Sequence, residues 1–202
     1  MQEYRAKKIS AFLLQAVIAC SIPHVSIELL QRIGFKDHPT AQKAFATRAK
    51  LLYDFDVEQN QLRLLQGSLL LSTTHVSHFL PRDHRFWLSN AAYVAGRMRL
   101  HQKLARPTLD ISTKRLFRRI WWVLYTWDVL LALNGMDTMR RIRDTETVIP
   151  RLAEEDWDEE FLANFQTTLQ PVESAEKSYM VESCKLSMLS RLSLTLPLDI
   201  LE

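Results

Sequence analysis

Lys114-Arg115-Leu116-Phe117-Arg118-Arg119-Ile120-Trp121-Trp122-Val123-Leu124-Tyr125-Thr126-Trp127-Asp128 decides the fold. It holds three of the five tryptophans and four cations, and neither glycine nor proline interrupts it. At 100° per residue, Leu116, Ile120, Val123, Leu124, Trp127, Leu130 and Leu131 share one broad apolar face. Arg115, Arg118 and Arg119 occupy the opposite arc over the first two turns. Val129, Ala132 and Leu133 then fill it, so the helix enters a core and becomes apolar all round. Asp128 is the exception, about 20° from Phe117 and Trp121 on the wheel. A carboxylate there costs several kcal/mol unless a cation or backbone donors meet it. The reading places it in an interior ion pair with an arginine of the helix ahead or of the segment 140–143.

Working outward, 202 residues with 47% apolar content suffice for a real core, and four glycines leave little turn material for sheet. The expected fold is all-α, an antiparallel helical bundle or array forming a single domain over 1–202. A net charge of +3 does not by itself imply nucleic-acid binding. Seven cations between Lys114 and Arg143 and six acids between Glu154 and Glu160 read as solvated faces. Cys20 and Cys184 form neither a disulfide framework nor a metal spacing, which suits a reducing compartment. Lys7 and Lys8 ahead of the apolar stretch from Ala11 to Cys20 imitate a signal peptide. Gln15 and the lack of a cleavage site favour a core helix. Nothing reaches the length of a membrane span.

Helices are expected from Glu3 to Cys20, ended by Pro23, and from His24 to Ile33, stopped by Gly34. A third starts at Asp37 and Pro39 with the seam Ala41, Phe45, Ala49 and Leu52. Asp56 is expected to cap a fourth, with the seam Leu62, Leu65, Leu69 and Val76. Asp83 caps a fifth, with Trp87, Ala91, Val94, Met98 and His101 in register. Asp110 or Ser112 opens the central helix, which runs to Asn134. Met136 to Pro150 reads as a functional loop or a wall of the core. Two helices follow, Asp158 to Gln170 and Val172 to Leu196, the last with Tyr179, Leu186, Leu189 and Leu192 apolar. The apolar residues closing the chain carry the expectation that it is part of something longer.

Candidate chemistry is sparse. His75 and His78 stand three apart without a third ligand, so helix-end residues explain them better than a metal. Asp83-His84 lacks a nucleophile, and a helix cap accounts for Asp83. No phosphate loop is present, and Glu154-Glu155-Asp156 only loosely resembles a Mg²⁺ motif. The chain reads as no enzyme. His101 suits the end of a helix. Arg118 and Trp122, four apart, have cation–π spacing, worth about 0.5 to 1 kcal/mol when exposed.

Three stretches carry a resemblance: Ala91-Ala92-Tyr93-Val94-Ala95-Gly96-Arg97-Met98-Arg99-Leu100-His101, the Arg118 to Asp128 segment, and Asp144 through Ile149-Pro150. They resemble the middle homology (regulatory) domain of fungal binuclear zinc-cluster transcription factors, near the cutinase-gene and fatty-acid-responsive activators. The resemblance covers residues 10–155 best, with 156–202 a helical extension. It implies a regulatory domain controlling RNA polymerase II transcription in the nucleus through intramolecular, partner or metabolite contacts. Arg118, Arg119, Trp121, Trp122 and Trp127 would form its structural motif. Arg99, His101 and Asp128 are the candidate regulatory or ligand residues. Where the family has Gly-Leu-His, this chain has Arg99-Leu100-His101. The six-cysteine zinc cluster is absent, so no cofactor is expected in this chain and DNA is reached only through a missing domain. A homo- or heterodimer with a related factor and a small-molecule inducer are the implied partners. The alternative is a helical scaffold or dimerisation module without ligand.

Overall fold

The computed structural model describes residues 10–74, 82–106, 108–135, 140–142, 149–157 and 172–195, with side chains described as far as residue 190. Every regular element among them is helical, so the fold is all-α. The helices are α1 (Ala11–Ser21), α2 (Ile27–Arg32), α3 (His38–Asp54), α4 (Gln61–Thr73), α5 (His84–Arg97), α6 (Leu100–Leu104), α7 (Ile111–Leu133) and α8 (Ser174–Thr195). Contacts divide the chain into two compact units, Met1–Val94 and Ala95–Glu202, the boundary falling inside α5.

In the first unit, α1 packs against α3 and α4. Its inward residues are Phe12, Ala16 and Ala19, while Leu14 faces solvent. Of Ala11, Phe12, Leu14 and Ile18, which helical periodicity sets in register, Phe12 is buried and Ile18 half-buried, while Ala11 and Leu14 are exposed. Alanines let the backbones approach, and Phe12 supplies the volume. On α4 the approach is closest at Gly67, where a Cβ would overlap the Phe12 ring. Tyr53, Phe86 and Trp87 extend the cluster, with the Tyr53 and Trp87 rings edge to face at 5.2 Å. A hydrogen-bond chain crosses its edge. Tyr53 donates to Asn90 Oδ1 at 2.8 Å, and Asn90 Nδ2 donates to Ser68 Oγ at 2.7 Å.

Short side chains set the helix starts. Ser10, Ser26, Asp37, Asn60 and Asp110 each accept a backbone N–H of the first turn of the helix they precede. Asp83 does the same for Phe86 N at 3.1 Å. The cap of α4 is thus Asn60, and Asp56 has another task. It takes φ 51°, with its own N–H on Tyr53 O and Val57 N–H on Leu52 O. That is the left-handed closure of α3. Gly34, at φ 90°, closes α2 in the same way through Gly34 N to Gln31 O and Phe35 N to Leu30 O. Asp56 and the Asp83 cap look alike in sequence, but only the carbonyls at the end of α3 need Asp56.

Further boundaries shift. His24 belongs to a 3₁₀ turn, Ile22–His24, which contains Pro23, and α2 begins only at Ile27. The fifth helix stops at Arg97, and Arg99 turns the chain with φ 50° and ψ 48°, so His101 lies on the separate α6. The described part of the acidic run lies in a 3₁₀ turn, Glu154–Trp157. His75, His78, Val76, Asp144, Leu192 and the expected helix from Asp158 to Gln170 lie outside the described residues or side chains.

The second unit is organised on α7, which packs against α6, α8 and the 3₁₀ turn. Ile120, Leu124 and Leu131 of the expected apolar face are buried, and so are Phe117, Trp121, Trp122, Tyr125, Asp128 and Val129 of the sector beside it. Leu116, Val123, Trp127 and Leu130, assigned by the wheel to the core face, are only half-buried. The interior thus takes in the sector containing the carboxylate. On α8 the outcome is reversed again: Cys184 and Ser187 are buried, whereas Tyr179, Leu186 and Leu189 are exposed. Small side chains bring α8 close to α7, and Leu186 and Leu189 face away.

Candidate functional site: the clasp on α7

Arg118, Trp122 and Thr126 follow one another at intervals of four along α7 and so form a ridge. Each makes a polar contact to a different part of the second unit. Arg118 Nη1 donates to Asp156 Oδ1 at 2.7 Å. Trp122 Nε1 donates to the carbonyl of Pro150 at 2.9 Å. Thr126 Oγ1 donates to Cys184 Sγ at 3.6 Å. Asp156 is buried, and its other oxygen accepts Ala153 N–H at 3.0 Å, which shapes the 3₁₀ turn. Within a run of six acids this one is interior, because Arg118 and a backbone donor compensate its charge.

Asp128 grips a further segment from another side of the helix. Its oxygens accept Arg141 N–H at 2.9 and 3.2 Å and Ile142 N–H at 3.2 Å. Arg141 Nη1 lies 3.3 Å away and Arg140 Nε 4.0 Å. The carboxylate is fully enclosed, and two backbone donors with two guanidinium groups offset its desolvation. Arg140 also stands over the Tyr125 ring, 5.4 Å from its centroid.

The remaining predicted residues are placed as follows. Trp121 is buried, Arg118 and Arg119 are half-buried, and Trp127 lies half-buried at the edge of the core. Arg118 turns to Asp156, the partner that sequence reasoning missed. Arg99 is exposed, while the His101 ring lies 6.0 Å from Trp121. His101 Nδ1 is buried and makes no hydrogen bond among the described residues. Neither residue borders the small cavity of about 10 Å³ in the first unit, which Lys50, Arg82, Asp83, His84 and Trp87 help to line. That cavity has room for about one water.

Burial raises the thiol pKa of Cys184, opposed by the Thr126 contact, and burial likewise raises that of Cys20, opposed by Thr73. Both cysteines are free. Two cysteines cannot build a six-cysteine cluster, and among the described residues no group of three His, Cys, Asp or Glu could hold a metal ion. Among them, too, no helix is long and apolar enough to cross a membrane.

Arg118, Trp122, Thr126, Asp128 and Pro150, which make contacts of this clasp, lie in two of the three stretches that carry the sequence resemblance. Comparison with known proteins points the same way. The fusaric acid cluster transcription factor of Gibberella moniliformis is 32% identical over 189 residues, 94% of this chain and 28% of that protein. Cutinase transcription factor 1 beta of Fusarium vanettenii is 32% identical over 160 residues, 79% of this chain and 18% of its own. The transcription factor cpaR of Aspergillus oryzae is 32% identical over 151 residues, covering 74% of this chain and 25% of that one. The chain thus spans under a third of the length of these relatives. No solved structure matches. The description "fungal specific transcription factor domain" fits residues 2–196, and the chain belongs to that family.

Proposed function

We propose that this chain is a regulatory module that controls transcription by RNA polymerase II in the nucleus, with DNA contacted only through a domain other than this one. It acts as a regulator rather than a catalyst. The observation that carries this reading is the clasp: α7 is tied by enclosed ionic and polar contacts to the segments 140–142 and 149–157 and to α8. Such contacts are made or broken as discrete arrangements, so a metabolite or partner that favours one arrangement shifts the population. Asp128 holds the clasp, and Arg99 and His101, at the start of α6 and within it, are the residues through which a signal reaches it.

The test is a reporter assay with the chain fused between a heterologous DNA-binding domain and an activation segment. Asp128→Asn is expected to change the basal output, and Arg99→Ala or His101→Ala the response to an inducer. Unchanged output from all three, at equal protein level, would overturn the regulatory reading of the clasp.

A second reading, a helical dimerisation module without ligand, is favoured by the apolar side chains that α8 presents to solvent. A thermal-shift screen against metabolites, run beside a measurement of solution mass, separates the two.

A further inference from the structure

The exposed apolar residues of α8 are not scattered. Ala175, Tyr179, Glu182, Leu186 and Leu189 are spaced by four, three, four and three residues and all are exposed. Tyr179, Leu186 and Leu189 are 71, 60 and 65% exposed. Single apolar residues on a surface need no explanation, but a row in the four–three spacing of a heptad is the seam on which a second helix packs. The helix meets α7 through another face, where Cys184 and Ser187 are buried and Thr126 reaches the thiol. Among the described residues of its own unit, the row is thus not used for packing.

The charges select the occupant. Glu182 stands inside the row, and its carboxylate lies 2.7 Å from the ammonium of Lys185, which flanks the row. A parallel second helix in register would bring the two Glu182 carboxylates together, which is repulsive. An antiparallel one related by a two-fold axis level with Cys184 does the opposite. Tyr179 then meets Leu189 of the second copy, and Leu186 meets the aliphatic stem of Glu182. Lys185 of the second copy comes within about one residue's rise, about 1.5 Å along the axis, of Glu182. Each carboxylate lies between two ammonium groups, so the surface is complementary to itself, as a two-fold interface requires.

We infer that α8 is a homodimerisation helix, pairing antiparallel with α8 of a second copy through Tyr179, Leu186 and Leu189, its direction set by Glu182 and Lys185. This rests on the partner-contact reading above and gives it a surface. The test is sedimentation equilibrium of the full chain with charge reversals. The wild type is expected to sediment at twice the monomer mass. Leu186→Asp, at an exposed position that leaves the circular dichroism unchanged, is expected to weaken the dimer by at least about 30-fold. Glu182→Lys alone and Lys185→Glu alone are each expected to weaken it, and the two together to restore it. The restored protein should not pair with the wild type, because mixing them sets like charges opposite each other. A dimer insensitive to Leu186→Asp and to the reversals would overturn this surface while leaving dimerisation standing. A monomer throughout would overturn both.

Discussion

The indole Nε1 of Trp122 donates to the carbonyl of Pro150 at 2.9 Å, so the tryptophan of the central helix is the hydrogen-bond anchor of the segment ending in Ile149-Pro150. Trp122 is fully buried, and Ile149 and Leu152 on either side of the anchor are buried. Trp122→Phe keeps most of the ring but leaves a buried carbonyl without its donor. The expected cost is about 2 to 4 kcal/mol, the sum of lost volume and lost bond. Hydrogen exchange should accelerate in 149–157 before it does in α3. Uniform acceleration would show that the bond does not hold that segment.

Asp128→Asn removes the charge and keeps the shape. Arg141 and Arg140 then lose their counter-charge beside a desolvated amide, and the expected destabilisation is about 3 kcal/mol. A urea denaturation curve measures it, and an unchanged midpoint would contradict an enclosed ion pair.

A double-mutant cycle on Arg118→Ala and Asp156→Asn is expected to give a coupling of about 1 to 3 kcal/mol. Asp156 is enclosed and Arg118 is only about a quarter exposed, so solvent screens the pair weakly. A coupling below about 0.3 kcal/mol would place the pair with ordinary surface bridges.

Two glycine exchanges have opposite signs. Gly67→Ala gains helix propensity, but its methyl overlaps the Phe12 ring, so a net loss of about 1 to 3 kcal/mol is expected, recovered in part by Phe12→Leu. Arg99→Gly relieves a left-handed backbone at an exposed position and should stabilise by about 1 kcal/mol. Thermal melting reads both. Stabilisation of the first or loss in the second would refute the respective argument.

Asp37 and Asp110 accept from Thr40 and Thr113, and those hydrogen bonds hold both carboxyls below their ordinary value of 3.8. A carboxyl lowered in the folded state contributes stability above its unfolded value and loses it as pH falls through the folded one. The melting temperature should therefore decline from about pH 4 downward. In Asp37→Asn with Asp110→Asn that decline should be shallower, while asparagine still caps at neutral pH. Parallel acid limbs in the two proteins would remove these caps as its cause.

Much of this was legible in the sequence wherever one residue has one task. Asp110, Asp37 and Asp83 announce helix starts, Gly34 a helix end, and the wheel position of Asp128 an interior charge that needs arginine. The misreadings share a different cause. Apolar patterning ranks leucine above alanine, cysteine and serine, yet α1 and α8 bury Ala16, Ala19, Cys184 and Ser187 because close helix contact favours small side chains. Asp56 reads as a cap of α4 but closes α3, because a short acidic side chain serves both an N-cap and a left-handed end. Asp156 could not be distinguished from its neighbours, since only the fold brings Arg118 to it. The break at Arg99 was hidden by an arginine in a place that favours glycine.

The ridge of Arg118, Trp122 and Thr126, with Asp128 on another side, also limits how this unit can deform. Turning α7 by a single residue swings every side chain through about 100°, so the four anchors would be lost together rather than one after another. A graded push on the helix therefore meets resistance up to a threshold and then none, so the response is a step, not a slope.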